Sequence, residues 1–139
     1  MEFKTGRCGC GSLKYSAEGE PINSVFCYCK ECQTHTGSDK WFGIWFPKNR
    51  FKITDGEFSV YSRKGDSGKD LNHIFCNNCG VTVCVEVTVG NFYSIAVSTL
   101  DENESINPSM ALYAASAPSW AVFPAGLAKF DTLPPGMGE

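Results

Sequence analysis

Seven of the eight cysteines in this 139-residue chain fall into three short groups. Cys8 and Cys10 flank one glycine, Cys27, Cys29 and Cys32 lie within six residues, and Cys76 and Cys79 frame Asn77-Asn78. Cys84 stands alone beyond the last pair. No other feature constrains the fold as much. Neighbours this near in sequence are strained as disulfide partners, but a pair two or three residues apart is half of a zinc site. The start Met1-Glu2-Phe3-Lys4-Thr5 has no apolar stretch of signal-peptide length. The expectation is therefore a cytoplasmic location, where thiols stay reduced and available to metal.

Two pairs close a four-ligand structural zinc site, whereas the triplet offers three ligands and leaves a position open for chemistry. Phe75-Cys76-Asn77-Asn78-Cys79-Gly80 has the form of a zinc knuckle, its glycine letting backbone amides turn toward the sulfurs. Either Cys8 and Cys10 complete that knuckle and the triplet stands apart, or Cys29 and Cys32 do. The second choice leaves Cys8, Cys10 and Cys27 for another site with Cys84. Spacing leaves both choices open.

The length suits one domain over residues 1–139, and 42% hydrophobic residues give it a modest core. Net charge is −3. The cationic clusters Lys48, Arg50, Lys52 and Arg63, Lys64, Lys69 are diluted by Asp55, Glu57, Asp66 and Asp70. They read as solvated surface, and no nucleic-acid partner is expected. No apolar run is long enough to span a membrane, so no membrane partner is expected either.

Short aromatic and β-branched runs predict strands near 12–17, 42–46, 51–54 and 58–61. Val81, Val83, Val85, Val87 and Val89 alternate as one face of another strand, opposite Thr82, Cys84, Glu86 and Thr88. Residues 91–97 are expected to return as its hairpin partner. Helical signals are weak: Asn107-Pro108 opens at most a short turn through Met110 and Leu112, stopped by Pro118. The predicted class is mainly β, an antiparallel sheet domain with short or no helices and cysteines at strand ends and turns.

The sequence resembles the glutathione-dependent formaldehyde-activating enzyme family, also called centromere-protein-V-like, which has the zinc-stabilised Mss4-like fold. The matching pieces are Gly6-Arg7-Cys8-Gly9-Cys10-Gly11, Cys27-Tyr28-Cys29-Lys30-Glu31-Cys32-Gln33, Thr36-Gly37-Ser38, Phe75-Cys76-Asn77-Asn78-Cys79-Gly80 and Pro118-Ser119-Trp120. The resemblance implies a structural zinc on Cys8, Cys10, Cys76 and Cys79. It implies a second, active-site zinc on Cys27, Cys29 and Cys32, and glutathione as co-substrate with formaldehyde or another small electrophile. Two segments depart from the common pattern, Ala114-Ala115-Ser116-Ala117 and Asp39-Lys40-Trp41, and both are expected near the substrate.

A zinc ion held by three thiolates is electron-rich and activates water poorly, so a substrate thiol is its natural fourth ligand. The expected activity is a zinc-dependent carbon–sulfur lyase or S-(hydroxymethyl)glutathione synthase-like reaction, in which a thiolate adds to an aldehyde or is released from the adduct. The alternative is a non-catalytic zinc-stabilised protein-interaction module, its triplet closed by Cys84 or His35.

His35, three residues after Cys32, is a candidate proton carrier, although an exposed turn histidine is the plainer reading. His73 reads as support for the knuckle or a strand surface residue. Cys84 reads as a small half-buried hydrophobe. Of Trp41, Phe42, Trp45 and Phe46, alternation sends half into the core and the rest outward, where they would wall a pocket. The 62–70 loop reads as a hairpin connection whose cations and amides suit ligand carboxylates.

Overall fold

The computed structural model describes residues 2–137 and is mainly β. The strands are β1 (Phe3–Arg7), β2 (Lys14–Glu18), β3 (Asn23–Cys27), β4 (Trp41–Pro47), β5 (Phe51–Asp55) and β6 (Phe58–Lys64). They continue with β7 (Asp70–Cys76), β8 (Thr82–Val87), β9 (Phe92–Ala96), β10 (Met110–Leu112) and β11 (Ala128–Lys129), and α1 (Lys30–Thr36) follows β3. A three-stranded sheet runs β1-β2-β5, and an eight-stranded sheet runs β11-β10-β3-β4-β9-β8-β7-β6. All pairings are antiparallel except those of β10, which lies parallel to β3 and β11. Among the described residues no helix is long and apolar enough to cross a membrane.

The main core lies between the two sheets. Tyr15 and Ala17 from β2 and Phe51 from β5 meet Ile44, Phe46, Ile74, Val83 and Ile95 of the large sheet. A second cluster packs Phe26, Tyr28 and Ala111 against Ala117, Ala121, Phe123 and Leu127 of the C-terminal loops. Gln33 Nε2 ties α1 to those loops through Tyr28 O at 2.8 Å and Ser116 O at 3.0 Å.

Two local expectations change. The 110–112 segment is a strand instead of a turn, because it pairs directly with the backbone of β3. The five alternating valines do not share a face. An irregularity at Ile74/Phe75 pairs Cys84 with Ile74 but Thr82 with Phe75, so Val83 is the extra residue of a bulge. Val83 and Cys84 consequently both enter the core, while Val85, Val87 and Val89 line an open cleft on the other face. Residues 92–96 do return as the hairpin partner of β8.

Candidate metal and thiol site

The first and last cysteine pairs meet. Cys8 and Cys10 lie in the turn after β1, and Cys76 and Cys79 lie where β7 ends. Their four sulfurs all fall within 4.8 Å of one another. Cys8 Sγ is 3.6 Å from Cys10 Sγ, and Cys10 Sγ is 3.8 Å from Cys76 Sγ. Two sulfurs on one tetrahedral zinc, each about 2.3 Å from it, stand about 3.8 Å apart, so the cluster fits that ion. Backbone amides complete the sulfur environment: Leu13 N donates to Cys8 at 3.3 Å, and Asn78 N and Cys79 N donate to Cys76 at 3.3 and 3.5 Å. Gly80, at φ +79°, makes the turn that aims them. The Ser12 hydroxyl, first among several donors, holds Cys10 down to about 5 and Cys76 down to about 7.

Cys27, Cys29 and Cys32 form a separate cluster, again within 4.8 Å. Cys27 closes β3, Cys29 caps α1 by accepting from Cys32 N at 3.3 Å, and Cys32 sits in the first turn of the helix. A donor set of three sulfurs suits a soft or borderline ion such as zinc. Hydrogen bonds from Cys27 and then Cys32 hold the Cys29 thiol down to about 2. The same interactions push Cys27 up to about 12 and Cys32 well above its usual value. One negative charge is thus shared over the three sulfurs when no metal is present.

Cys84 joins neither cluster. It is fully buried between Ile74 and Ile95, its neighbours on β7 and β9, and burial pushes its thiol far up. Among the described residues no further cysteine, histidine or carboxylate joins the triplet at ligand distance.

The triplet opens onto a cleft of about 670 Å³, with Trp41 and Trp45 on its floor. Phe46 lies in the main core and Phe42 packs against both clusters, so the even-numbered pair of the alternating aromatics is the half that turns inward. Gly65, Asp66 and Ser67 of the β6–β7 hairpin form the rim. Asp66 accepts from the Tyr113 hydroxyl at 2.5 Å across it. Ser116 and Trp41, from the two departing segments, also line the cleft. Asp39 is instead buried in a pair with Lys40 at 3.1 Å.

His35 lies on α1, lines the cleft and stacks on His73 with ring centroids 4.0 Å apart. His73 is therefore at the cleft and not at the knuckle. Residues three apart on a strand face opposite sides, so His73 turns away from Cys76. Arg63 Nε donates to His73 Nε2 at 3.2 Å, which leaves the proton of the neutral ring on Nδ1. Burial, then His35 and Arg63, lowers His73 to about 4. Arg63 itself is not solvated surface: its side chain is 15% exposed, lines the cleft and lies 3.9 Å from Glu31. Its positive charge also favours the Cys29 thiolate. Sequence reasoning missed His73 and Tyr113 as cleft residues, whereas Arg63 is one of the 62–70 cations expected to suit a ligand's carboxylates. Strand parity could have placed His73, but no local signal brings Tyr113 to Asp66.

Comparisons with known proteins agree with this architecture. A sequence profile described as "Glutathione-dependent formaldehyde-activating enzyme" matches residues 3–116. A crystal structure of a Rhodobacter sphaeroides protein is similar in fold, with a TM-score of 0.57 and 20% identity, covering 75% of this chain and 91% of that one. No curated protein matches the chain.

Proposed function

The chain belongs to the glutathione-dependent formaldehyde-activating enzyme family, and from that premise we propose a zinc-dependent carbon–sulfur lyase that adds a glutathione-like thiol to a small electrophile and reverses the addition. The observation that carries this reading is the triplet: three sulfurs within 4.8 Å, facing a cleft, beside a second cluster that has four. In the proposal Cys8, Cys10, Cys76 and Cys79 hold a structural zinc, and Cys27, Cys29 and Cys32 hold the active one. Zinc on three thiolates would supply an electron-rich centre with one free position, which favours a substrate thiol as thiolate near neutral pH.

The remaining work falls to the chain. Arg63 and Lys30 stand at the cleft, where they suit the carboxylates of a peptide thiol. As sulfur bonds to the aldehyde carbon, the carbonyl π pair moves to oxygen and the thiol's proton ends on that oxygen. His35, held by its stack on His73, carries the proton between sulfur and oxygen. Trp41 and Trp45 exclude water from the forming bond.

The test is exchange of labelled formaldehyde with its glutathione adduct, followed by NMR at equilibrium in the presence of zinc-loaded protein. Exchange should exceed the uncatalysed rate by about a hundredfold or more and fall to background in Cys29→Ser. Background exchange in the wild type, with zinc bound and no thiol taken up, would sink the enzyme reading in favour of an interaction module.

A further inference from the structure

The cleft floor is more apolar and better ordered than a one-carbon electrophile requires. On the sheet face turned from the core, Trp45, Ser94, Val85 and His73 stand in one row across four strands. Phe92, Val87 and Leu71 form the adjoining row. The rings of Trp45 and Phe92 stack at 4.4 Å and 27°. Nearer the triplet, Trp41 pairs with Cys27, and its Nε1 donates to Ser94 Oγ at 3.0 Å. That bond carries the indole over Gly43, where any Cβ would stand 2.6 Å from the indole nitrogen. Only glycine permits this close approach, so the Trp41 surface is held in place before a ligand arrives.

The open face of an antiparallel sheet is ordinarily polar. Here Trp45, Phe92, Val87 and Leu71 are half-buried on it around the buried Val85, with Ser94 and His73 as its polar members, and the face runs on to the sulfur cluster at one end. The cleft's volume of about 670 Å³ falls in the range of sites that enclose drug-sized molecules, and its concavity suits a small ligand better than a flat protein surface. A glutathione-like peptide is charged, and its groups belong at the Arg63 and Lys30 rim. The floor is left for whatever carbon group the sulfur carries.

We propose that this carbon group is aromatic or bulky and apolar, and that Trp41, Trp45, Phe92, Val85 and Val87 are the platform that selects it. The inference rests on the reading that the substrate sulfur lies at Cys27, Cys29 and Cys32. From that point a substituent runs over Trp41 toward the Trp45–Phe92 stack, so the electrophile is an apolar aldehyde or ketone in preference to formaldehyde. The bond made is the same sulfur–carbon bond, with the proton again ending on the carbonyl oxygen.

The experiment compares S-benzylglutathione with S-methylglutathione as ligands of the zinc-loaded full chain, by calorimetry. The benzyl conjugate should bind about tenfold or more tightly than the methyl one, since it buries a ring that the methyl group lacks. Trp45→Ala should cut that ratio to about threefold or less. Val87→Thr, which keeps the branched shape suited to a strand, should lower it about twofold to threefold without disturbing folding. Equal binding of the two conjugates overturns the inference, as does a ratio that survives both substitutions. Cobalt-substituted protein separates this failure from that of the underlying reading. If glutathione adds a thiolate-to-cobalt absorption band while the conjugates bind equally, only the platform is lost. If no band appears, the thiol site is lost and the platform with it.

Discussion

The two sulfur clusters share their chemistry and differ in how the chain builds them. The four-cysteine cluster brings Cys10 to Cys76 across 66 positions and joins the small sheet's turn to the end of β7. The triplet comes from six consecutive residues already held by other means, including Tyr28 N to Leu112 O at 3.0 Å and the Gln33 bonds. Exposure does not separate them: Cys10 and Cys79 are exposed, Cys8 and Cys76 buried, and the triplet half-buried throughout. What separates them is ligand count and span. Closing a long loop through a metal makes binding free energy into folding free energy, while closing a short preformed one adds little stability.

The largest effect should therefore come from breaking the long clamp. Cys79→Ser should lose cooperative folding in circular dichroism and near-complete metal binding, because two distant turns lose their common ligand set. Cys29→Ser should keep a cooperative unfolding transition and bind about one zinc per chain where the wild type binds about two. Equal collapse in both variants, measured by metal content and thermal melts, would erase the distinction between clamp and open site.

A second difference is protonic. In the triplet one sulfur is already ionised and two are held as thiols, Cys27 near 12 and Cys32 well above its usual value. Loading that site near pH 7 must expel the protons of those two thiols, about two per metal. In the four-cysteine cluster Cys10, near 5, is ionised already and Cys76, near 7, is about half ionised, while Cys79 is raised above its usual value and keeps its proton until metal displaces it. The sign follows from the raised thiols: metal affinity of the triplet rises with pH throughout the range below about 12, by close to a hundredfold per unit near neutrality. Proton release measured in two buffers by calorimetry on Cys79-intact protein, with Cys29→Ser as the reference, isolates the triplet. Release of less than one proton there would contradict the shared-charge picture.

Part of this contrast was legible in the sequence: cysteine spacing marked three groups, and the family resemblance, where spacing left two groupings open, divided them into four and three. Period two alone puts Trp41 and Trp45 on one face and Phe42 and Phe46 on the other, but which pair turns inward is decided by the packing of β4 against the small sheet. The bulge at Val83 was not legible, since it needs knowledge of which residue of β7 opposes β8. Helix α1 escaped for a different reason. Its seven residues include no buried side chain, and its cap is a cysteine sulfur in place of the usual hydroxyl or carboxylate. Strand β10 has three residues and exists only through its parallel pairing with β3 and β11. His73 was placeable by parity, and the 62–70 cations suited ligand carboxylates, but the burial of Arg63 beside Glu31 involves α1, an element the sequence barely announces.

The smallest predicted effect concerns the cysteine that belongs to neither cluster. Cys84 touches the core from between Ile74 and Ile95, with no exposed surface and no partner for a polar atom. Cys84→Ser is nearly isosteric, yet it puts a hydroxyl into a fully buried position of the hydrophobic core. That should cost about 1–3 kcal/mol of stability, seen as a lower denaturation midpoint. Zinc content should stay at its wild-type value, because the clamp and the triplet each complete their sulfur sets without Cys84. A variant that keeps its stability but loses metal would reverse both statements at once. It would make Cys84 a ligand reached by rearrangement of β8, and the triplet a closed site after all.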